Sequence, residues 1–209
     1  MYRSILLTLL IAGFSPSAIG DSATDLGGAR DALRHGQYER AVDGFTLAIQ
    51  SHRLSNQDLF EAYIGRGSSL LDLQHYERAI ADFDAALTLN PQSAMAFANR
   101  GVARKRLGQT QPALDDLNTA VELDPKNAVA RLNRGGVYAE LKLYDDAIKD
   151  LDAAIALQPS NGLFLYSRGL IYEERGDLDS AKNDFKAALR LSPDYPPIRM
   201  KAGRYGLSQ

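Results

Sequence analysis

The sequence predicts an all-α fold, a solenoid of antiparallel helix pairs, and three observations lead to this prediction. Glycines recur at intervals of 34 residues, and two sets of alanines and one set of prolines share this interval. Between the alanines, large apolar residues follow a spacing of three and four, the period of a helix buried along one face. A fixed period of this length is the signature of a repeat protein. The recurring residues are Gly67, Gly101, Gly135 and Gly169, then Ala79, Ala113, Ala147 and Ala181, then Ala86, Ala120, Ala154 and Ala188, and finally Pro91, Pro125, Pro159 and Pro193.

Each 34-residue unit is predicted to contain two helices that pack against each other. Gly67 and Ala79 are small, so the backbones of the two helices can approach closely there. The second helix is predicted to span residues 76–89, and Pro91 stops it because proline cannot continue the hydrogen-bond ladder. Ser93 stands where the next helix needs a side-chain acceptor at its N-terminus.

These units resemble the tetratricopeptide repeat, a 34-residue helix–turn–helix with a small residue in its first helix and Ala-x3-Phe-x2-Ala in its second. The similarity is clear at Tyr76-Glu77-Arg78-Ala79-Ile80 and at Gly176-Asp177-Leu178-Asp179-Ser180-Ala181. It implies a right-handed superhelical array over residues 21–209. The predicted parts are a degenerate repeat at 22–55, repeats at 60–93, 94–127, 128–161 and 162–195, and a C-terminal capping helix at 196–206.

The first twenty residues differ from the rest of the chain. A positively charged N-terminal segment, Met1-Tyr2-Arg3, precedes an apolar run from Ile5 to Phe14. Pro16 follows this run, and Ala18 and Gly20 are the small residues that a signal peptidase recognises. The apolar run is too short to cross a bilayer comfortably. We therefore expect a cleaved signal peptide and a periplasmic or secreted protein, with retention as an uncleaved anchor as the alternative.

Composition argues against several function classes. The chain has no cysteine. Its formal net charge is −2, and the sequence shows no basic stripe of the kind that nucleic-acid binders carry. The three histidines are not spaced as metal ligands, and no phosphate-binding or dinucleotide-binding motif occurs. We expect no catalytic site, no cofactor, no metal, no nucleic-acid partner and no stable membrane insertion after signal removal.

Two polar columns follow the same 34-residue period. An arginine precedes each column glycine, and an aspartate precedes each large apolar residue of the second helix. The columns occur together, since the degenerate repeat has Gly28 and Gly44 at these positions and lacks both. Facing arginines and aspartates can form bidentate pairs, so we predict stabilising ion pairs, with a guanidinium row that binds an acidic ligand as the alternative. The residues are Arg66, Arg100, Arg134 and Arg168, and Asp82, Asp116, Asp150 and Asp184.

The residue before each arginine is predicted to lie on the binding side, because the resemblance implies that first helices line the concave surface. This position holds Gly65, Asn99, Asn133 and Ser167. An asparagine amide both donates and accepts, so it can bind a peptide backbone whatever side chains the peptide carries. The alternative is that the amides only bind water.

The other concave positions are mostly apolar, which suits an extended peptide or an amphipathic helix, although some of these side chains are expected to be core. Lys105 and Arg106 add a basic edge, and Glu140 and Glu173 an acidic one. The carboxylate clamp known in this family is absent, since only Asn99 matches its positions, or only Asn133 when the comparison starts one repeat later. The remaining predicted groove residues are Val102, Val129, Leu132, Tyr166 and Leu170.

These features favour a non-enzymatic scaffold outside the cytoplasm that binds a protein segment in its concave groove. Two alternatives remain: a self-associating structural scaffold, which would form homo-oligomers, and an accessory module of an envelope enzyme complex. Size-exclusion chromatography with light scattering measures the oligomeric state and so separates the first alternative from the others.

Signal cleavage is predicted after Gly20, because the residues at 18 and 20 are small and follow the apolar run. N-terminal sequencing of the exported protein should therefore begin at Asp21. Recovery of intact Met1 in a membrane fraction would instead identify an anchored protein.

Overall fold

The computed structural model describes residues 22–207, and this part of the chain forms eleven α-helices and no strand. The predicted signal peptide, residues 1–20, lies outside the described residues. The helices are α1 (Ser22–Arg34), α2 (Tyr38–Gln50), α3 (Asn56–Asp72), α4 (Tyr76–Leu89), α5 (Ala94–Arg106), α6 (Thr110–Leu123), α7 (Ala128–Glu140), α8 (Tyr144–Leu157), α9 (Gly162–Arg175), α10 (Leu178–Leu191) and α11 (Pro196–Arg204).

The helices stack in chain order, each packing against the one before it and the one after it. Contacts also join α1 to α3, α3 to α5, α5 to α7 and α7 to α9, whereas the even-numbered helices make no comparable contacts with one another in the described residues. The stack therefore curves with α1, α3, α5, α7 and α9 on its inner, concave side. The predicted all-α solenoid is confirmed.

Polar caps and left-handed turns define the helix ends. The Ser93, Asn127 and Asn161 side chains accept hydrogen bonds from backbone N–H groups in the first turns of α5, α7 and α9, which confirms the cap predicted at Ser93. Each turn inside a helix pair contains one residue with φ between 60° and 93°. These residues are Gly36, Gln74, Gly108, Lys142 and Gly176.

The recurring glycines sit where the two helices of a pair approach most closely. A Cβ on Gly169 would lie 2.7 Å from the Phe185 ring, and one on Gly101 would lie 2.8 Å from the Leu117 side chain. The opposing Ala113 and Ala181 are fully buried. Small residues on both helices are thus a steric requirement of the pair, since cores this dense do not admit an additional methyl group without rearrangement.

We predict that Gly169→Ala lowers the free energy of unfolding by about 1–3 kcal/mol, because the added methyl group clashes with a buried ring. Gly28→Ala is the matched control. A Cβ at this α1 position meets nothing within 4 Å, so the higher helix propensity of alanine should raise stability by up to about 1 kcal/mol. Chemical denaturation monitored by circular dichroism measures both. Similar effects of the two changes would contradict the close-approach explanation.

Candidate functional site

The arginine and aspartate columns form four bidentate ion pairs, one within each of four helix pairs. In each, Arg Nε donates to one carboxylate oxygen and Nη2 to the other, over 2.6–2.9 Å. The aspartates are only 3–6% exposed, and a buried carboxylate requires a partner of this kind. The pairs are Arg66–Asp82, Arg100–Asp116, Arg134–Asp150 and Arg168–Asp184.

Each of these arginines also reaches the preceding repeat, a contact that the sequence analysis missed. Its Nη1 donates to a side chain on the second helix of the previous pair, over 2.5–3.1 Å. One guanidinium group therefore connects three helices from two successive repeats. The acceptors are Thr46, Asp84, Asn118 and Asp152, which stand at equivalent positions but are of three residue types.

An aromatic ring lies against each column guanidinium, at 5.3–5.8 Å from its centroid. Tyr63 and Phe97 come three residues before their arginines, while Tyr138 and Tyr172 come four residues after theirs. Both spacings place the ring on the same side of the helix as the arginine.

In the two middle pairs, the aromatic residue occupies one of these two spacings and a second arginine occupies the other: Arg104 comes four residues after Arg100, and Arg131 comes three residues before Arg134. Arg104 donates to Asp116 over 2.8 Å, and Arg131 donates to Asp150 over 3.4 Å. No second arginine reaches Asp82 or Asp184 among the described residues. The four pairs therefore differ in how their carboxylates are compensated.

This geometry supports the structural interpretation of the columns over the ligand-binding one. Nε, Nη1 and Nη2 of every column arginine already donate to protein acceptors. Hydrogen bonds to the aspartates raise the pKa of the Arg66, Arg134 and Arg168 guanidinium groups, although burial acts in the opposite direction. The charges are thus held within the protein rather than offered to a ligand.

The predicted groove residues lie on α5, α7 and α9, at the concave side. Asn99 donates through Nδ2 to the Ser68 hydroxyl of the previous repeat, over 3.3 Å, so part of its hydrogen-bonding capacity is used. Asn133 and Ser167 make no side-chain hydrogen bond to any described residue. All three are half-buried, which leaves them within reach of a ligand.

The apolar groove positions are likewise incompletely covered. Val129 is 54% exposed, and Val102 and Leu170 are half-buried. Leu132 and Tyr166 pack partly on core clusters and keep the rest of their surface open. We refer to Asn99, Val102, Val129, Leu132, Asn133, Tyr166, Ser167 and Leu170 as the groove.

The charged edges of the groove are largely paired across neighbouring helices. Lys105 Nζ lies 3.3 Å from a Glu140 carboxylate oxygen and extends over Gly136, where a Cβ would meet it at 2.6 Å. Glu173 pairs with Lys201 of α11. The basic and acidic edges expected from the sequence therefore neutralise each other in part, and the groove between them is mainly apolar.

A separate apolar cavity of about 360 Å³ opens on the concave side near α1 and α3. Phe45 and Gly65 lie at its base: a Cβ on Gly65 would come within 2.3 Å of the Phe45 ring. Ala29 stands in α1 where the later repeats have their close-approach glycine. The sequence analysis placed its groove further along the chain and did not find this cavity. Leu33, Phe60, Ile64 and Met95 complete its apolar lining, and Arg30, Arg34 and Glu61 are its charged lining residues.

The described part of the chain contains no group of three or more His, Asp or Glu residues that could hold a metal ion. None of its helices has the length and hydropathy that a bilayer crossing requires.

We predict that Arg168→Ala destabilises the protein more than Arg134→Ala. Loss of Arg168 leaves buried Asp184 with no guanidinium partner, whereas Asp150 keeps Arg131 after loss of Arg134. The expected losses in unfolding free energy are about 3 kcal/mol and about 1–2 kcal/mol, respectively. Urea denaturation of both variants is the measurement. Equal losses would show that the second arginine does not compensate its carboxylate.

Comparison with known proteins agrees with this architecture. A family model described as a tetratricopeptide repeat matches residues 67–132, and a second with the same description matches residues 26–94 and 143–196. A thermophilic TPR protein from Thermus thermophilus is similar in structure, with a TM-score of 0.73 and 22% identity over 90% of this chain and 100% of that one.

Two other solved structures share the fold. MamA from residue 41 to its end, from Desulfovibrio magneticus RS-1, has a TM-score of 0.69 and 24% identity over 84% of this chain and 98% of that one. YrrB, described as a TPR protein with an unusual peptide-binding site, has a TM-score of 0.64 and 23% identity over 90% of this chain and 94% of that one. The chain belongs to the tetratricopeptide-repeat family.

Proposed function

We propose that this protein is a non-enzymatic scaffold that acts outside the cytoplasm and binds a peptide segment or helix of a partner protein in the groove. Proteins of this repeat family typically bind protein or peptide partners, and YrrB is described as having a peptide-binding site. The proposed location rests on the signal-like N-terminal residues alone.

The observation that supports the binding site best is the open apolar surface of α5, α7 and α9. Val129 is 54% exposed. Full burial of a valine side chain stabilises by about 1.5–3 kcal/mol, so a partner that covers Val129 gains part of this free energy. Apolar neighbours and half-buried amides surround it. A mainly apolar concave surface with a few polar groups that fix orientation is the usual composition of a peptide groove.

Asn133 and Asn99 are assigned to the backbone of the bound segment. They stand one repeat apart on neighbouring inner helices and flank the apolar positions. Asn133 retains both its donor and its acceptor capacity among the described residues, while Asn99 retains its carbonyl oxygen. Hydrogen bonds to the peptide backbone would set its register, and apolar contacts would supply most of the affinity.

The partner can be identified by introducing a photocrosslinking amino acid at Val129. The matched control carries the same residue at Asn183, which is exposed on the outer helix α10. We expect a specific crosslinked partner from the Val129 variant alone. The same product from both positions would contradict binding in the groove.

With that partner in hand, Asn99→Ala/Asn133→Ala should weaken binding roughly tenfold, since each lost hydrogen bond contributes about 0.5–1.5 kcal/mol. The melting temperature should change little, because the hydrogen bond from Asn99 to Ser68 is the only one that either side chain makes to the described residues. Isothermal calorimetry is the measurement, and Asn183→Ala is the control. Wild-type affinity in the folded double variant would refute the assignment of the groove.

A further inference from the structure

We propose that the C-terminal end of the groove binds an acidic stretch of the partner protein. An apolar side chain of the partner would enter a cavity between α9 and α11, and a neighbouring Asp or Glu side chain would bind Arg204, since Lys201 is already paired with Glu173. This inference rests on the proposed function, since the cavity shares Tyr166 with the groove.

The cavity has a volume of about 330 Å³ and lies directly beside the groove. Tyr166, Pro197 and Met200 give it apolar walls, and Lys201 and Arg204 place two cationic groups at the same site. No carboxylate is among its lining residues. The volume is at the lower end of the range for ligand pockets, which suits one or two side chains rather than a large cofactor.

The charge at this end of the solenoid favours an anionic ligand. Residues 196–206 include Arg199, Lys201 and Arg204 and no acidic residue. Glu173 pairs with Lys201, but Arg204 is exposed and forms no hydrogen bond or ion pair with any described residue. A positive charge therefore remains at the cavity, and electrostatic complementarity selects partners of opposite charge.

Met200 supports an apolar component of the ligand. It is 65% exposed, although terminal helices of repeat arrays normally present a polar outer face to water. Methionine is flexible and polarisable, so it adapts to differently shaped side chains. Its position beside two cations fits a ligand in which an apolar residue is flanked by acidic ones.

The cavity is held in place by firm attachment of α11. Ile198 and Ala202 are fully buried against α10, and Glu173 accepts hydrogen bonds from Lys201 and Tyr205. Partial burial acts to raise the pKa of Glu173, but these hydrogen bonds and the nearby positive charges of Lys201 and Arg204 outweigh it and lower the pKa below its ordinary value. Glu173 is therefore ionised at neutral pH and keeps its ion pair with Lys201 of α11. The cavity is thus formed before the ligand binds, which reduces the entropy lost on binding.

The test uses three acetylated and amidated dodecapeptides that differ only in the four residues flanking one internal leucine, which are Glu, Gln or Lys. At low salt, fluorescence polarisation should show the Glu peptide binding roughly threefold to tenfold more tightly than the Gln peptide, with the Lys peptide weakest. This preference should disappear in 1 M salt, where the Debye length is about 3 Å.

Arg204→Glu should reverse the preference toward the Lys peptide. Arg199→Glu is the matched control, because it makes the same charge change on α11 at an exposed residue outside the cavity lining. It should keep the preference for the Glu peptide. Both residues are exposed, so unchanged circular dichroism is expected for each variant.

Three results would overturn the inference: no binding by any peptide at millimolar concentration, equal affinity for all three, or an Arg204→Glu variant with the wild-type preference. Wild-type behaviour of Arg204→Glu together with weakened partner binding by Asn133→Ala would refute only this inference. A reversed peptide preference in Arg204→Glu together with unchanged partner binding by Asn133→Ala would refute the groove and leave the cavity as an independent binding site.

Discussion

The buried arginine–aspartate pair is the interaction on which the rest of the structure depends. Four aspartates that are 3–6% exposed would strongly destabilise the helix pairs if they were left without partners. Each column arginine satisfies one of them with two hydrogen bonds and uses a third to hold the preceding repeat, as Arg168 does with Asp184 and Asp152. The same side chain therefore fixes the geometry of a helix pair and the register between neighbouring pairs.

This arrangement separates the residues that stabilise the solenoid from those available for binding. The arginines face the second helices, while Asn99 and Asn133, each one position earlier, turn by about 100° to the concave side. Stability in a repeat array comes from each unit and its contacts with neighbours. Because the ion pairs and close-approach glycines supply these contacts, the inner face can carry open apolar side chains such as Val129 without loss of the fold.

The fold and the ion-pair partners could be predicted from sequence because their residue types recur in the repeats of this one chain. The cross-repeat acceptors could not be found in this way, since Thr46, Asp84 and Asn118 accept the same hydrogen bond without sharing a residue type. The cavities at the two ends of the concave side were also missed. They depend on departures from the repeat, such as Gly65 beneath Phe45 and the packing of α11, which periodicity does not encode.

A double-mutant cycle on Arg168 and Asp184 tests the central role of the buried pair most directly. Arg168→Met, Asp184→Asn and the double variant would be compared by urea denaturation, with Arg175→Met and Asp145→Asn as a matched cycle for an exposed pair whose aspartate side chain is 95% exposed. We expect a coupling energy of about 1.5–3 kcal/mol for the buried pair and about 0–0.5 kcal/mol for the exposed one. A coupling between Arg168 and Asp184 no larger than that between Arg175 and Asp145 would contradict the proposed role of the columns.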